Sequence, residues 1–194
     1  MSENSWSRAV FEQLYEQNPD PWGFETSPYE HSKYAATLSH TGPGPFRNAL
    51  ELGCSIGVLT ATLAQRCGHL LAIDIADAAL TRARERCTGL PNVNFLRARL
   101  PDEFPALPPE SCDLILISEL LYFLTPADIT RLAQHCLAVR ICGTPIILVN
   151  WTGETNTPCT GDSAADLFIA TCCGHGLTAC PTERQETCRF DRLI

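Results

Sequence analysis

"LELGCSIGVLTATL", Leu50 to Leu63, is the stretch that decides how this chain is read. An apolar run carries an acid, Glu51. Two glycines follow, Gly53 and Gly57, and Ser55 stands between them where a third glycine would be expected. Gly53 permits a turn that other residues disfavour, and Gly57 lets the next helix approach a ligand or the strand closely. The pattern is strand, tight turn, helix. The following apolar run, "LLAID", ends at Asp74, 23 residues beyond Glu51. A carboxylate at the end of a second strand is placed to accept hydrogen bonds from ribose hydroxyls. Strand, loop, helix and second-strand acid together point to a nucleotide site.

The loop also says which nucleotide. A phosphate loop of the Walker kind needs a lysine after its last glycine, and here Val58 follows Gly57. In a dinucleotide loop, Glu51 would face a pyrophosphate of like charge. A cationic, phosphate-free nucleotide would welcome it. S-adenosylmethionine has an amino group and a sulfonium and no phosphate, and Glu51 suits its amino-acid end, directly or through water.

Working outward, "SWSRAVFEQLYEQ" (5–17) has helical spacing, with Ser5 as its expected cap and "NPDP" as its stop. "SPYEHSKYAATLSH" predicts a second helix with Pro28 in its first turn. "TGPGP" is a loop. Then strands and helices alternate: "NALEL", the helix "GVLTATLAQRC" ending at Gly68, "LLAID", the helix "DAALTRARERC" and "VNFLRA". "DLILIS", the helix "PADITRLAQHCLAVR", "TPIILVN" and the helix "DSAADLFIATCC", capped by Asp162 or Ser163, complete the series. The tail "LTACPTERQETCRFDRLI" predicts two last strands. Continuous apolar strands alternating with helices imply an α/β domain, a mainly parallel sheet flanked by helices on both faces. A closing hairpin would add an antiparallel edge. We expect one Rossmann-like domain over 1–194, with residues 1–45 as an N-terminal helical cap or lid and 46–194 as the core.

Composition narrows the class. The 194 residues are 45% hydrophobic and 19% charged, ordinary globular material. Net charge is −8, from 14 basic and 22 acidic residues. That argues against nucleic acid, whose binders carry basic patches. No apolar run reaches the roughly 18 residues of a membrane helix, and "MSENSWSRAV" lacks an apolar signal core. The expectation is a cytoplasmic protein with no membrane partner. Eleven cysteines, an odd number partly within apolar segments, read as buried reduced thiols. "CCGH" (172–175) lacks a second ligand pair, so no metal site is expected.

E-L-G-C-S-I-G resembles the first motif of class I S-adenosylmethionine-dependent methyltransferases, an acid followed by spaced glycines, with Ser55 replacing the middle glycine. With "DPWGFETSPYEHSKY" upstream and "ISELLYFL" downstream, the chain is similar to the nodulation protein S family. Those rhizobial enzymes N-methylate the free amine of a deacetylated chitooligosaccharide. The same signature occurs in methyltransferases that accompany PIG-L-type deacetylases. The resemblance implies a seven-stranded class I methyltransferase sheet. It implies a cofactor site of Glu51, Gly53, Ser55, Ile56 and Gly57, with Asp74 on the ribose and Ile75 on the adenine. Ser55, with its small side chain, is expected to sit beside the cofactor provided its backbone requires no positive φ; a simple helix cap is the alternative.

After the third strand, "RARLP" offers Ala98 and Arg99 where many methyltransferases supply an acid, so adenine recognition falls to backbone around Ala98 and Leu100. Ser118 and Glu119 follow the fourth strand and are expected to border the methyl-transfer site, since ligands lie beyond the carboxyl ends of parallel strands. Glu119 would bind an ammonium or take its proton; its plainer alternative is a solvated acid or helix cap. Tyr122 either shapes the acceptor cleft or belongs to the core. Trp22, Tyr29 and Lys33 belong to an expected lid, Lys33 toward the cofactor carboxylate; a peripheral aromatic-packed helix is the alternative. Trp151 would stack on a sugar face or lie in the core. His31, His135 and His175 show neither triad order nor metal spacing.

The expected function is transfer of a sulfonium methyl to an amine, that of a small molecule or an oligosaccharide. O- or S-methylation of small metabolites is the alternative within enzymes. A cofactor-binding protein without catalysis and an NAD-dependent oxidoreductase are alternatives of other classes, the last disfavoured by Glu51.

Overall fold

The computed structural model describes residues 4–194. Its helices are α1 (Arg8–Gln17), α2 (Pro28–Thr41), α3 (Val58–Leu63), α4 (Asp77–Arg86), α5 (Pro126–Val139) and α6 (Gly161–Gly174). Its strands are β1 (Phe46–Leu52), β2 (Cys67–Asp74), β3 (Val93–Arg97), β4 (Leu114–Ser118), β5 (Ile146–Trp151), β6 (Glu183–Gln185) and β7 (Cys188–Leu193). The seven strands form one sheet in the order β3-β2-β1-β4-β5-β7-β6. The first five are mutually parallel; β7 runs antiparallel to β5, and β6 to β7. The expected closing hairpin is therefore present, inserted with β7 against β5.

The sheet is apolar on both faces. Leu114 to Ser118 is buried at every position, as a central parallel strand should be. Alternation divides it: Leu50, Leu52, Ile115, Ile117 and Leu148 pack with residues of α5 and α6, while Ala49, Leu114, Leu116, Ile147 and Val149 pack with residues of α2 and α3.

Chain order reverses between β1 and β4, and a crevice opens at such a switch point beyond the strands' carboxyl ends. The register places Leu52 beside both Ile73 and Ile117. Gly53, Asp74 and Ser118 therefore leave the sheet at one edge.

Three local expectations change. Helix α3 ends at Leu63, followed by a 3₁₀ turn at Ala64–Arg66; Cys67 and Gly68 belong to β2, because Cys67 pairs with Phe46. Helix α6 is capped by Thr160, whose hydroxyl accepts the Ser163 N–H in a reciprocal box, so Ser163 is the box partner and Asp162 lies in the first turn. Ser5 does not cap α1. Its hydroxyl accepts the Thr125 N–H at 2.8 Å and donates to Asp128, pinning the N-terminal segment to the start of α5.

Helix α1 also lies across the start of α4. Ala76 precedes α4 and offers it no side-chain cap. Glu12 of α1 supplies one: its carboxylate accepts the N–H groups of Asp77 (2.7 Å) and Ala78 (3.3 Å). These are two of the donors a helix start leaves unpaired. Arg8 pairs with Asp77 beside them. Proton loss from Glu12 is eased: these backbone donors and Arg8 outweigh the opposing effect of its burial.

Candidate functional site

A cavity of about 630 Å³ opens at the switch point, within the usual range for small-ligand clefts. One end is the turn after β1. Gly53 has φ +88, and a Cβ there would stand 2.9 Å from the Ser118 carbonyl oxygen. The N–H groups of Gly53 and Cys54 both donate to the Ile73 carbonyl, at 2.9 and 3.0 Å. Ser55 has φ +49, in the left-handed region, so the expectation that it avoids positive φ is overturned. Two contacts hold it there: its N–H donates to Asp74 Oδ2 at 2.9 Å, and its hydroxyl lies 2.5 Å from the Tyr15 hydroxyl. Gly57 has φ +77, and its missing Cβ would stand 2.9 Å from Ala83 Cα. Its close approach is to α4, not to the ligand space.

Asp74 lines the cavity, with its second oxygen accepting the Ala76 N–H at 3.0 Å. Burial pushes its carboxyl above the usual carboxylate range, against the opposing backbone donors. Ile75, Ala98 and Leu100 line the same space. Arg99 does not: its guanidinium turns to Asp102 at 2.8 Å, and its N–H goes to Glu103. The Ala98 N–H is taken by the Asp74 carbonyl. Adenine contact through Arg99 is therefore corrected, and of that trio Ala98 and Leu100 are left to line the cavity.

Glu51, Ser55, Ile56 and Ser118 border a smaller recess beside the glycine turn, together with Tyr34 and Glu119. Glu51 is buried, and its Oε2 has no hydrogen-bond partner. Burial pushes its carboxyl up to about 7, with Asp74 adding to the rise and the Thr60 hydroxyl opposing it. An orphaned buried carboxylate oxygen fits a cationic guest, as the amino end of S-adenosylmethionine would be, and disfavours an anionic one.

The other end of the cavity is an ionic cluster. Lys33 of α2 reaches Glu30 at 2.9 Å and Glu119 Oε1 at 2.9 Å. Glu119 stands just after β4 with φ +54. Its Oε2 accepts the Tyr122 hydroxyl at 2.5 Å and the Trp151 N–H at 3.0 Å. Glu119 is thus gripped by three donors. Lys33 is raised above its ordinary value, the two carboxylates outweighing its burial. It lines the cavity, but its ammonium is already committed to them. Tyr29 lies under that ammonium at 5.4 Å and meets Trp151 edge-on at 6.0 Å. Trp22 packs against Phe24 and Tyr15 at the rim.

Two site residues escaped the sequence reading. Tyr15 looked like one more apolar position of α1. Glu30 sits three residues before Lys33, and that spacing on a predicted helix was the available signal.

Comparison with known proteins agrees with this geometry. Residues 49–140 match a methyltransferase domain family. Nodulation protein S of Sinorhizobium fredii is 33% identical over 119 residues, covering 61% of this chain and 54% of that protein. The chain thus spans about half the length of the curated relatives it matches. Phosphoethanolamine N-methyltransferase 3 of Arabidopsis thaliana is 33% identical over 88 residues, 45% of this chain and 18% of that protein. Among solved structures, N-methyltransferase NodS of Bradyrhizobium japonicum, in complex with S-adenosylhomocysteine, superposes with a TM-score of 0.80. It is 22% identical, and the match covers 94% of this chain and 96% of that one. Residues 49–140 are thus similar to a methyltransferase domain, part of the chain is similar to nodulation protein S, and the whole has the fold of N-methyltransferase NodS.

Proposed function

We propose that this chain transfers the methyl group of S-adenosylmethionine to the nitrogen of an amine, and that the amine is carried by a deacetylated chitooligosaccharide or a similar amino sugar. The observation that supports this most is the shape of the cavity. One space joins the glycine turn and Asp74 to a desolvated wall bearing two carboxylates and one ammonium, flanked by Tyr29 and Trp151. Glu51 and Asp74 would hold the amino and ribose ends of the cofactor. The excess negative charge at the far wall selects a cationic acceptor, and Trp151 with Tyr29 offers faces for a sugar ring.

When bound, the cofactor supplies a methyl on a positive sulfur, ready for in-line displacement. The chain contributes placement. Holding two reactants in line is worth up to about 7–11 kcal/mol in the best-oriented cases. Glu119, fixed by Lys33, Tyr122 and Trp151, orients the acceptor end, and Ser118 borders it. Tyr122 keeps its proton, because burial and Glu119 raise it well above the usual phenol value. The eleven cysteines stand as free thiols, which suits the reducing cytoplasm we propose as its site of action. Among the described residues no helix is long and apolar enough to cross a membrane.

The test is labelled-methyl transfer to glucosamine oligomers, their fully N-acetylated counterparts and phosphoethanolamine, with calorimetry on S-adenosylhomocysteine. Label on the deacetylated oligomers alone is the expected result. Label on the acetylated sugars, or on phosphoethanolamine alone, would reject the amino-sugar acceptor.

A further inference from the structure

Ser55 stands at φ +49, a conformation that glycine enters freely and an L-residue enters at a cost. Glycine would make the turn easier to build there, as it does at Gly53 and Gly57, both also left-handed. A residue held against its backbone preference points to something its side chain does. The side chain of Ser55 is a single hydroxyl. It lies 2.5 Å from the hydroxyl of Tyr15, 40 residues earlier on α1. Tyr15 is 6% exposed, and its ring packs with Ile56, Ala76 and Ala79. Trp22 meets that ring edge-on at 5.6 Å.

The place of this contact separates it from the other ties of α1. Arg8 and Glu12 grip the start of α4 on its exposed side. The hydroxyls of Tyr15 and Ser55 meet in the cavity wall instead, where both residues stand beside Asp74. The Ser55 N–H donates to Asp74 at 2.9 Å. Helix α1, the glycine turn and Asp74 are therefore joined in one chain of hydrogen bonds, with Ser55 in the middle. Burial and Asp74 hold the Tyr15 phenol well above its usual range, so it keeps its proton.

Resting on the cofactor reading above, we propose that Ser55 and Tyr15 are positioning residues: their hydroxyls form a latch that holds α1 against the glycine turn and sets how long the nucleotide stays bound. Neither hydroxyl has to touch the nucleotide. While the latch is made, the Tyr15 ring is kept in the cavity wall next to Asp74. When it breaks, apolar contact alone holds that ring to the turn, and the way out of the cavity widens. Glycine at position 55 would give an easier turn and no latch. Alanine would keep the backbone cost and bring no hydroxyl. Serine is the small residue that supplies the hydroxyl, which accounts for its place between two glycines.

The experiment follows release of labelled S-adenosylhomocysteine, chased by excess unlabelled nucleotide, together with Tm of the ligand-free protein. It compares wild type, Ser55→Gly, Ser55→Ala, Tyr15→Phe, which keeps the ring, and the Ser55→Gly, Tyr15→Phe double variant. Each single variant should release the nucleotide roughly 3- to 10-fold faster, the size of one net hydrogen bond. The double variant should release no faster than the singles, because each removes the same contact. Tm should not follow release. Ser55→Gly is freed from the left-handed cost that Ser55→Ala retains, so the glycine variant should melt higher while both release alike. A serine with a merely structural role would not show that split. Wild-type release from Ser55→Gly and Tyr15→Phe overturns the latch. Release that tracks Tm, fast in Ser55→Ala and slow in Ser55→Gly, overturns it too, since the backbone then governs. A double variant whose effect is the product of the single ones does the same. A wild type that binds no S-adenosylhomocysteine overturns the cofactor reading, and with it this one.

Discussion

Gly57→Ala isolates what the second glycine of the motif does. The backbone there has φ +77, and an added Cβ would stand 2.9 Å from both Cα and Cβ of Ala83 on α4. Two costs add. The left-handed conformation costs an L-residue about 1–2 kcal/mol, and forcing a methyl into a packed contact costs about 1–3 kcal/mol more. The expected loss is therefore ~2–5 kcal/mol in urea unfolding. Gly89 is the control, with φ +92 and nothing within 4 Å of an added Cβ. Gly89→Ala should lose only the conformational part, about 1–2 kcal/mol. At roughly 2–4 °C per kcal/mol for a domain of this size, the two variants should separate clearly in Tm. Adding Ala83→Gly to Gly57→Ala should recover part of the contact cost, reduced by about 1 kcal/mol for a glycine within a helix. Equal destabilisation by the two single variants would refute the packing explanation and return Gly57 to the ligand.

Glu51 carries a pH signature. Its carboxyl is pushed up to about 7 in the folded chain from an ordinary 4.5, so the folded state binds the extra proton, and stability falls as pH rises through that interval. Glu51→Gln should flatten this slope by roughly 2–3 kcal/mol between about pH 4.5 and 7, and urea titrations of the ligand-free protein that keep the slope would contradict it. Asp74→Ala should weaken S-adenosylhomocysteine binding by about 1.5–3 kcal/mol; an unchanged Kd in a folded variant removes Asp74 from the ribose. Lys33→Met strands the buried Glu30 carboxylate and leaves the part-buried Glu119 without its cation, and should destabilise the protein by about 3–5 kcal/mol at neutral pH, with the deficit shrinking in acid as Glu30 protonates. A deficit independent of pH would mean the lysine acts through packing.

The sheet was legible because its signals are short-range. A continuous apolar run such as "LILIS" and a glycine turn between strand and helix each show within ten residues. The boundary near Cys67 was misplaced because pairing with Phe46, 21 positions earlier, overrides the local helical pattern. The acceptor wall was only half legible. Glu119 declared itself by following a strand. Glu30 beside Lys33 looks like a solvated helix pair, and only the contact of Lys33 with Glu119, 86 residues on, shows that the pair is buried. Ser55 and Tyr15 are a like case, two hydroxyls 40 residues apart that no local pattern joins.

The cap that α1 lends to α4 has a kinetic meaning. Tyr15 of α1 lines the cavity proposed to hold the cofactor, so exchange of spent for fresh nucleotide would be helped by α1 moving away. In doing so it withdraws the Glu12 carboxylate from the Asp77 and Ala78 N–H groups, and α4, with no side-chain cap from Ala76, frays at its first turn. Door and helix end therefore open as one event. The attraction between Glu12 and the helix start is electrostatic and screened by salt. Turnover limited by nucleotide exchange should then quicken with ionic strength, and a new local cap at position 76, such as Ala76→Ser, should uncouple the hinge from the helix.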